Sequence, residues 1–134
     1  MTIVRGIPAH EVHAVRERIA PLVELGLRRQ KSFTPAAVMA SLEDGRRQLF
    51  VTWPAMDCAL VTEILALPAE TVLHIFLVAG RLPEDWAATL ANLERWAADQ
   101  GCAAVELRGR RGWMRRLKGY AAPRIIMRKE LCHA

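Results

Sequence analysis

Two long apolar stretches, separated by only four residues, constrain the fold of this chain more than any other feature. Residues 58–66 and 71–79 are mostly apolar, and Leu67, Pro68, Ala69 and Glu70 join them. That spacing predicts an antiparallel hairpin whose strands lie centrally in a sheet. A helix is predicted to begin near Pro83, directly after the second strand. Its N-terminus would offer free backbone N–H groups and a favourable dipole to a phosphate or pyrophosphate, so the sequence indicates a ligand site here.

The remaining segments alternate between helix and strand patterns. Apolar residues recur at spacings of three and four over residues 11–29, which predicts a helix that Pro21 should kink or split. Thr34 followed by Pro35 is typical of a helix start, and Asp44-Gly45 of a turn. Further elements are predicted as strands at residues 2–7, 46–53, 103–108 and 122–131 and as helices at residues 84–100 and 112–118. The order favours one α/β domain covering residues 1–134.

Composition indicates a compact protein with a substantial core. Of the 134 residues, 52% are hydrophobic and 25% are charged. The longest apolar run is much shorter than the roughly 18 residues of a membrane span, and no secretory signal pattern starts the chain, so we expect a cytoplasmic protein. Cys58, Cys102 and Cys132 show no paired spacing, which favours reduced thiols over a disulfide framework. The four histidines show no metal-ligand spacing, and we expect no metal site.

Positive charge is concentrated at the C-terminal end. Residues 1–107 contain 10 basic and 13 acidic residues, whereas residues 108–134 contain 9 basic and 1 acidic. This basic segment would attract a polyanion such as a phosphorylated cofactor, nucleic acid or an acidic protein surface. A solvated surface that only keeps the protein in solution is equally compatible with it. The candidate contacts for nucleic acid or a partner are Arg108, Arg110, Arg111, Arg115, Arg116 and Lys118.

Glu63 and His74 form the best candidate catalytic pair. If the hairpin is centred between Pro68 and Ala69, Glu63 and His74 face each other across the two strands. A carboxylate beside an imidazole orients it and raises its basicity, as a general base that deprotonates an ammonium group requires. The same pair would also form as a purely structural contact. Glu106 projects either toward a cleft or toward the arginines, and we expect an ion pair with the arginines.

The order of elements resembles the Gcn5-related N-acetyltransferase (GNAT) fold over nearly the whole chain. Local features also fit: residues 71–80 as the fourth strand, Gly101-Cys102 before the fifth, and Gly119-Tyr120 where members often have Gly-Phe. The resemblance implies an α/β (α+β) fold with a mixed, mostly antiparallel central sheet of about six strands, flanked by helices. Residues 93–97, 101–102 and 106–113 are also similar to GNAT-like proteins of tailed phages and prophages, which would imply an association with a virion or its assembly.

The resemblance implies acetyl-CoA as the cofactor. Its acyl thioester would lie along Phe76, Leu77, Val78, Ala79 and Gly80, and backbone N–H groups near Arg81 would hold the pyrophosphate. The glycine positions of the family's cofactor loop are occupied here by Glu84 and Trp86. Leu117 and its neighbours stand where many members have a tyrosine as general acid.

Two hypotheses follow for function. In the first, the protein is an acyl-CoA-dependent N-acyltransferase in which His74 and Glu63 deprotonate a small-molecule or protein amine for direct acetyl transfer. In the second, the protein is catalytically inactive and binds nucleic acid or a protein partner through its basic C-terminal surface. The sequence leaves a homo-oligomer open under either hypothesis.

Overall fold

A five-stranded sheet with helices on both faces forms the molecule. The computed structural model describes residues 3–109 and 111–131, and for Arg111 and Met114 it describes the backbone only. The strands are β1 (Ile3–Ile7), β2 (Gln48–Trp53), β3 (Cys58–Ala66), β4 (Thr71–Gly80) and β5 (Ala104–Leu107). The helices are α1 (Val12–Gly26), α2 (Pro35–Glu43) and α3 (Trp86–Asp99), with 3₁₀ turns at Ala9–Glu11 and Arg111–Arg116.

The strands lie in sequential order β1-β2-β3-β4-β5. Neighbours from β1 to β4 are antiparallel, and β4 pairs with β5 in parallel. Helix α3 makes the crossover that a parallel pair requires. The mixed, mostly antiparallel sheet expected from the sequence is therefore present.

Local signals define the helix ends. The Thr34 side-chain oxygen accepts a hydrogen bond from the Ala37 amide at 3.1 Å, and Pro35 occupies the first turn of α2, as predicted. Helix α1 continues through Pro21, so the proline does not split it. Gly101 follows α3 with φ of +84°, a conformation that glycine adopts without steric cost.

Each face of the sheet has its own apolar cluster. One cluster packs α1 and α2 against the sheet and includes Ile19, Leu42 and Val61. The other packs α3 against the opposite face and includes Leu60 and Leu93. Alternate residues of β3 enter opposite clusters, which explains why this strand reads as continuously apolar.

The C-terminal residues differ from the prediction. Residues 122–131 form no strand, and the backbone of residues 121–131 makes no hydrogen bond within the described part of the chain. The side chains of Ile125, Ile126 and Met127 are 68–84% exposed. The neighbouring edge strand β5 has only four residues, which is too short a template for a ten-residue strand.

The basic helix predicted at residues 112–118 is also different. Residues 111–116 form a 3₁₀ helix, which has about three residues per turn. Residues four apart therefore do not share a face in this segment. Among the described residues, no helix has the length and apolar character needed to cross a membrane.

Candidate functional site

A gap opens where β4 and β5 separate. Their pairing runs from Val72 opposite Ala104 to Ile75 opposite Leu107 and then stops, although β4 continues to Gly80. A cavity of about 270 Å³ lies beyond this point. Its walls come from the C-terminal end of α1, from β4, and from the segment after β5; they comprise Gly26, Gln30, Ile75, Phe76, Leu77, Val78, Leu107, Arg108, Gly109 and Trp113.

A β-bulge in β4 marks the start of this gap. Thr62 pairs with Ile75 and Val61 pairs with Leu77, so Phe76 is an extra residue without a partner on β3. Both Phe76 and Leu77 consequently pack on the α1/α2 face, instead of alternating. A bulge bends its strand and increases the local twist, which explains why β4 turns away from β5 at this residue.

A row of polar side chains crosses the α1/α2 face beside the gap. Glu63 pairs with His74 across β3 and β4, as predicted, and His74 pairs with Glu106 across β4 and β5. Arg47, just before β2, completes the row through Nε, which lies 3.3 Å from Glu63 Oε2. Glu106 in turn forms an ion pair with Arg124 at 3.4 Å, in agreement with the expected link to the arginines. We call Arg47, Glu63, His74 and Glu106 the polar row.

His74 is held in its neutral form by its surroundings. It is 7% exposed, and burial lowers the pKa of its imidazole below the ordinary 6.5. Arg108 and Arg47 lower the pKa further, while Glu63 and Glu106 act in the opposite direction without reversing the shift. A neutral imidazole at pH 7 can accept a proton, so His74 has the protonation state of a general base. His74 lies beside Ile75 and is not itself among the residues that line the cavity.

Arg47 was missed by the sequence analysis. Its guanidinium carbon lies 4.6 Å from the centre of the Phe76 ring and 5.4 Å from that of Phe33, and its Nη1 donates to Ser41 Oγ at 3.1 Å. These contacts fix Arg47 between Glu63 and the wall of the cavity. A loop taken as Pro54 to Asp57 aligns position 47 with position 64, one residue away from the observed register, in which Gln48 pairs with Thr62.

The end of β4 is closely packed against the turn between β2 and β3. The Arg81 amide donates to the Asp57 carbonyl oxygen at 2.8 Å, so it is not available to a pyrophosphate. The prediction that amides near Arg81 hold this group is therefore wrong for the Arg81 amide itself. A Cβ on Gly80, whose φ is +101°, would lie 2.1 Å from the same Asp57 oxygen. Only glycine fits this close approach.

The N-terminus of α3 differs chemically from a phosphate-binding loop. Glu84 and Asp85 are exposed at this end, and their charges would oppose an anion there. Trp86 turns inward and is 6% exposed, with its indole Nε1 lacking a hydrogen-bond partner among the described residues. Trp86 therefore does not block the helix end. Phe76, Leu77 and Val78 line the cavity, as the predicted position of the acyl thioester requires, whereas the charges at the helix end disfavour the pyrophosphate of coenzyme A.

The remaining candidates for proton transfer are hydrogen-bonded to another side chain or buried. Tyr120 donates its hydroxyl hydrogen to Glu94 Oε2 at 2.8 Å, and burial, with help from this carboxylate, raises its pKa well above the ordinary value of 10. Leu117 is buried and offers no proton. Burial, with Asp57 nearby, raises the pKa of the Cys58 thiol to about 11, so it stays protonated.

The basic residues predicted to contact nucleic acid or a partner do not all lie at the cavity. Arg108 lines the cavity, and Arg115, Arg116 and Lys118 are exposed on the segment that follows β5. Arg110 and Cys132 lie outside the described residues, as does the side chain of Arg111. Within the described part of the chain, no three His, Cys, Asp or Glu side chains are arranged so that they could hold a metal ion.

Comparisons with known proteins rest on structure. No protein-family model and no curated protein matches the sequence. An aminoglycoside acetyltransferase from an uncultured soil metagenomic sample, in complex with sisomicin, superposes with a TM-score of 0.73 at 11% identity, covering 98% of this chain and 97% of the other. A ribosomal-protein-alanine N-acetyltransferase from Brucella melitensis gives 0.70 at 12% identity, with 100% of both chains covered. A GNAT family acetyltransferase of Staphylococcus aureus gives 0.67 at 13% identity over 97% and 98%.

The chain has the GNAT fold. At these identities the superpositions establish the architecture alone. Another GNAT-fold neighbour, aminoglycoside N-acetyltransferase AAC(6')-Iy in complex with CoA, superposes with a TM-score of 0.68 at 12% identity, covering 98% of this chain and 96% of the other. That CoA belongs to the neighbour.

Proposed function

We propose that this protein is an acyl-CoA-dependent N-acyltransferase that transfers an acetyl group from acetyl-CoA to an amine by direct attack. One observation carries the proposal: β4 bulges at Phe76 and leaves β5, and the resulting cavity lies beside a neutral histidine flanked by two carboxylates. Structural neighbours that carry CoA or act on amines agree with this assignment.

The two faces of the sheet have different roles, one in binding the acyl donor and the other in binding the acceptor. Beyond Ile75, β4 has no β5 partner, so backbone groups on this side of the strand are directed to the cavity and are suited to binding a thioester arm. Helix α3 begins on one face, and the polar row lies on the other. The donor therefore enters from the α3 side and the acceptor from the α1/α2 side.

Bound acetyl-CoA would supply a thioester, whose C–S bond would break as its carbonyl carbon formed a C–N bond with the amine. His74 accepts the proton that the ammonium group loses before attack, directly or through one bridging water. The nitrogen releases a second proton to solvent as the amide forms, which balances the proton that the thiolate takes up. Glu63 and Glu106 stabilise the imidazolium that forms, and Arg47 holds Glu63 in place. Leu117 and the Glu94-bonded Tyr120 offer no acid for the leaving thiolate, so we assign its protonation to solvent.

The first test measures cofactor binding and turnover together. Acetyl-CoA should raise the melting temperature of the protein in a saturable way, because a ligand that binds only the folded state stabilises it. A thiol-release assay with a panel of amines then measures transfer. An absence of both responses would refute the proposal.

His74→Gln tests the base. The substitution keeps a neutral polar side chain of similar size, and we expect kcat to fall by about 10²- to 10⁴-fold, the usual contribution of a general base. The temperature shift with acetyl-CoA should be unchanged. Glu70→Gln, in the exposed hairpin turn, is the matched control and should retain full activity. Unchanged kcat in His74→Gln would remove this residue from the mechanism.

A further inference from the structure

Basic residues lie next to the acceptor side of the cavity. Arg28, Arg29 and Lys31 are exposed around Gln30, which lines the cavity, and Arg108 lines it from the segment after β5. None of these four side chains forms an ion pair with an acidic side chain in the described residues. Glu24 lies one turn before Arg28 on α1, and the structure shows no ion pair between them. We call these four residues the basic rim.

Apart from Glu24, the acidic residues next to the basic rim are each paired with an arginine. Glu63 faces Arg47 at 3.3 Å, Glu106 faces Arg124 at 3.4 Å, and Glu130 faces Arg128 at 2.5 Å. Arg128 also donates to Ser32 Oγ at 3.4 Å, which brings the residues around Arg128 close to the rim. The side from which an acceptor enters therefore presents a net positive field.

This field has two consequences for an amine. A polycationic amine is repelled, while an amine with nearby carboxylates is attracted and concentrated at the entrance. The cations also disfavour the ammonium form of a bound acceptor, as Arg108 and Arg47 do for the imidazolium of His74. An anionic acceptor thus gains in approach, and the cations counteract the effect of its own carboxylates, which favour the ammonium form.

We propose that the acceptor is an amine that carries carboxylate groups close to the reacting nitrogen, which means a free acidic amino acid or the N-terminus of an acidic peptide. This inference rests on the proposed transferase function. Both kinds of acceptor carry carboxylates close to the amino group, and the basic rim recognises these carboxylates.

The experiment compares acceptors that differ in charge alone. The probes are free glutamate and glutamine, the amidated peptides Ser-Asp-Glu-Phe and Ser-Asn-Gln-Phe, and sisomicin as a polycation. We expect kcat/KM to be at least tenfold higher for the acidic member of one pair. Raising the salt concentration from 20 to 300 mM should lower kcat/KM for that acidic acceptor by about the same factor, because screening weakens the field. The pair that responds identifies a free amino acid or a peptide as the source.

Charge reversal connects the preference to the rim. The double variant Arg29→Glu, Lys31→Glu should lower kcat/KM for the acidic acceptor about tenfold and leave the neutral acceptor unchanged. Arg95→Glu is the matched control, because Arg95 is exposed on α3, on the opposite face of the sheet. This variant should have no effect. Equal or better turnover of the neutral member in both pairs, or of sisomicin, would overturn the inference.

A binding measurement separates this inference from the proposed function. Calorimetry with the acidic and neutral peptides reports the charge preference even without turnover. Salt-sensitive binding of the acidic peptide, lost in the double variant, supports the rim even if no acetyl transfer is found, in which case only the transferase function fails. Equal binding within the peptide pair and also within the glutamate–glutamine pair would refute the inference regardless of activity.

Discussion

His74 is the residue at which burial and charge oppose each other most clearly. Burial, Arg108 and Arg47 favour its neutral form, and the two glutamates favour the charged form. The net effect is a lowered pKa, so folding is coupled to the loss of a proton. The two carboxylates face His74 from the neighbouring strands without keeping its imidazole charged.

The lowered pKa of His74 predicts a dependence of stability on pH. Between the folded pKa and the ordinary 6.5, the unfolded chain binds more protons at this position than the folded chain does. His74 therefore makes the free energy of unfolding rise with pH through this window, and its contribution is lost as pH falls below it.

Urea unfolding of the wild type and of His74→Gln at several pH values measures this effect. The difference between the two proteins removes the contributions of all other groups. We expect the wild type to gain stability relative to the variant as pH rises toward 6.5. A difference with the opposite slope would mean that the glutamates raise the pKa of His74.

Part of the polar row was predictable from sequence because hairpin register is a local property. Only four residues join β3 and β4, and this short loop aligns Glu63 with His74. Arg47 and Phe33 reach the site from segments distant in sequence, and their contacts depend on how α2 packs on the sheet. No local pattern encodes that packing.

At the scale of elements, the N-terminus of α3 offers a favourable dipole and an unfavourable pair of charges. Glu84 and Asp85 stabilise the first turn of the helix by facing its positive end. The same carboxylates repel an incoming pyrophosphate. The end of α3 is thus better arranged for helix stability than for anion binding.

Neutralising these two carboxylates should tighten coenzyme A binding. In Glu84→Gln, Asp85→Asn, each removed charge is worth about 0.3–1 kcal/mol near a helix end, so we expect the Kd to fall about twofold to fivefold per charge at low salt. Calorimetric titration with CoA measures this change. Glu70→Gln should leave the Kd unchanged. If the double variant binds no more tightly, the carboxylates are not what limits affinity.

The sequence did not reveal the bulge in β4, nor that the sheet ends at β5. Strand lengths and turns predicted β3, β4 and the helices, since these depend on local patterns. A bulge adds one residue to an otherwise regular apolar run, and nothing in residues 71–80 distinguishes Phe76 as that residue. The strand predicted at residues 122–131 failed because strand formation needs a partner edge.

At the scale of the whole molecule, one sheet connects two apolar clusters. Ile19 belongs to the cluster under α1 and α2, and Leu93 to the cluster under α3. Because both clusters share the same strands, neither can be lost alone.

A single domain over residues 1–134 stays a prediction, as does the similarity to phage proteins.

Core truncations on the two faces test this cooperativity. Ile19→Ala and Leu93→Ala should each lower the free energy of unfolding by about 2–5 kcal/mol, the range for deleting a large buried aliphatic side chain. Each variant should still unfold in one transition by circular dichroism. Leu25→Ala, at a side chain that is 44% exposed, should change stability by less than about 0.5 kcal/mol. Two separate transitions would indicate independent units.

The contact between two indole rings makes the cavity visible to spectroscopy. Trp113 lines the cavity, and its ring centre lies 5.8 Å from that of buried Trp86, with 54° between the ring planes. Two indoles this close couple their electronic transitions, which gives a circular dichroism couplet, and their emission depends on the solvent around Trp113. A molecule that enters between β4 and β5 should therefore change both the couplet and the fluorescence, so the protein carries its own optical reporter of occupancy without an added dye.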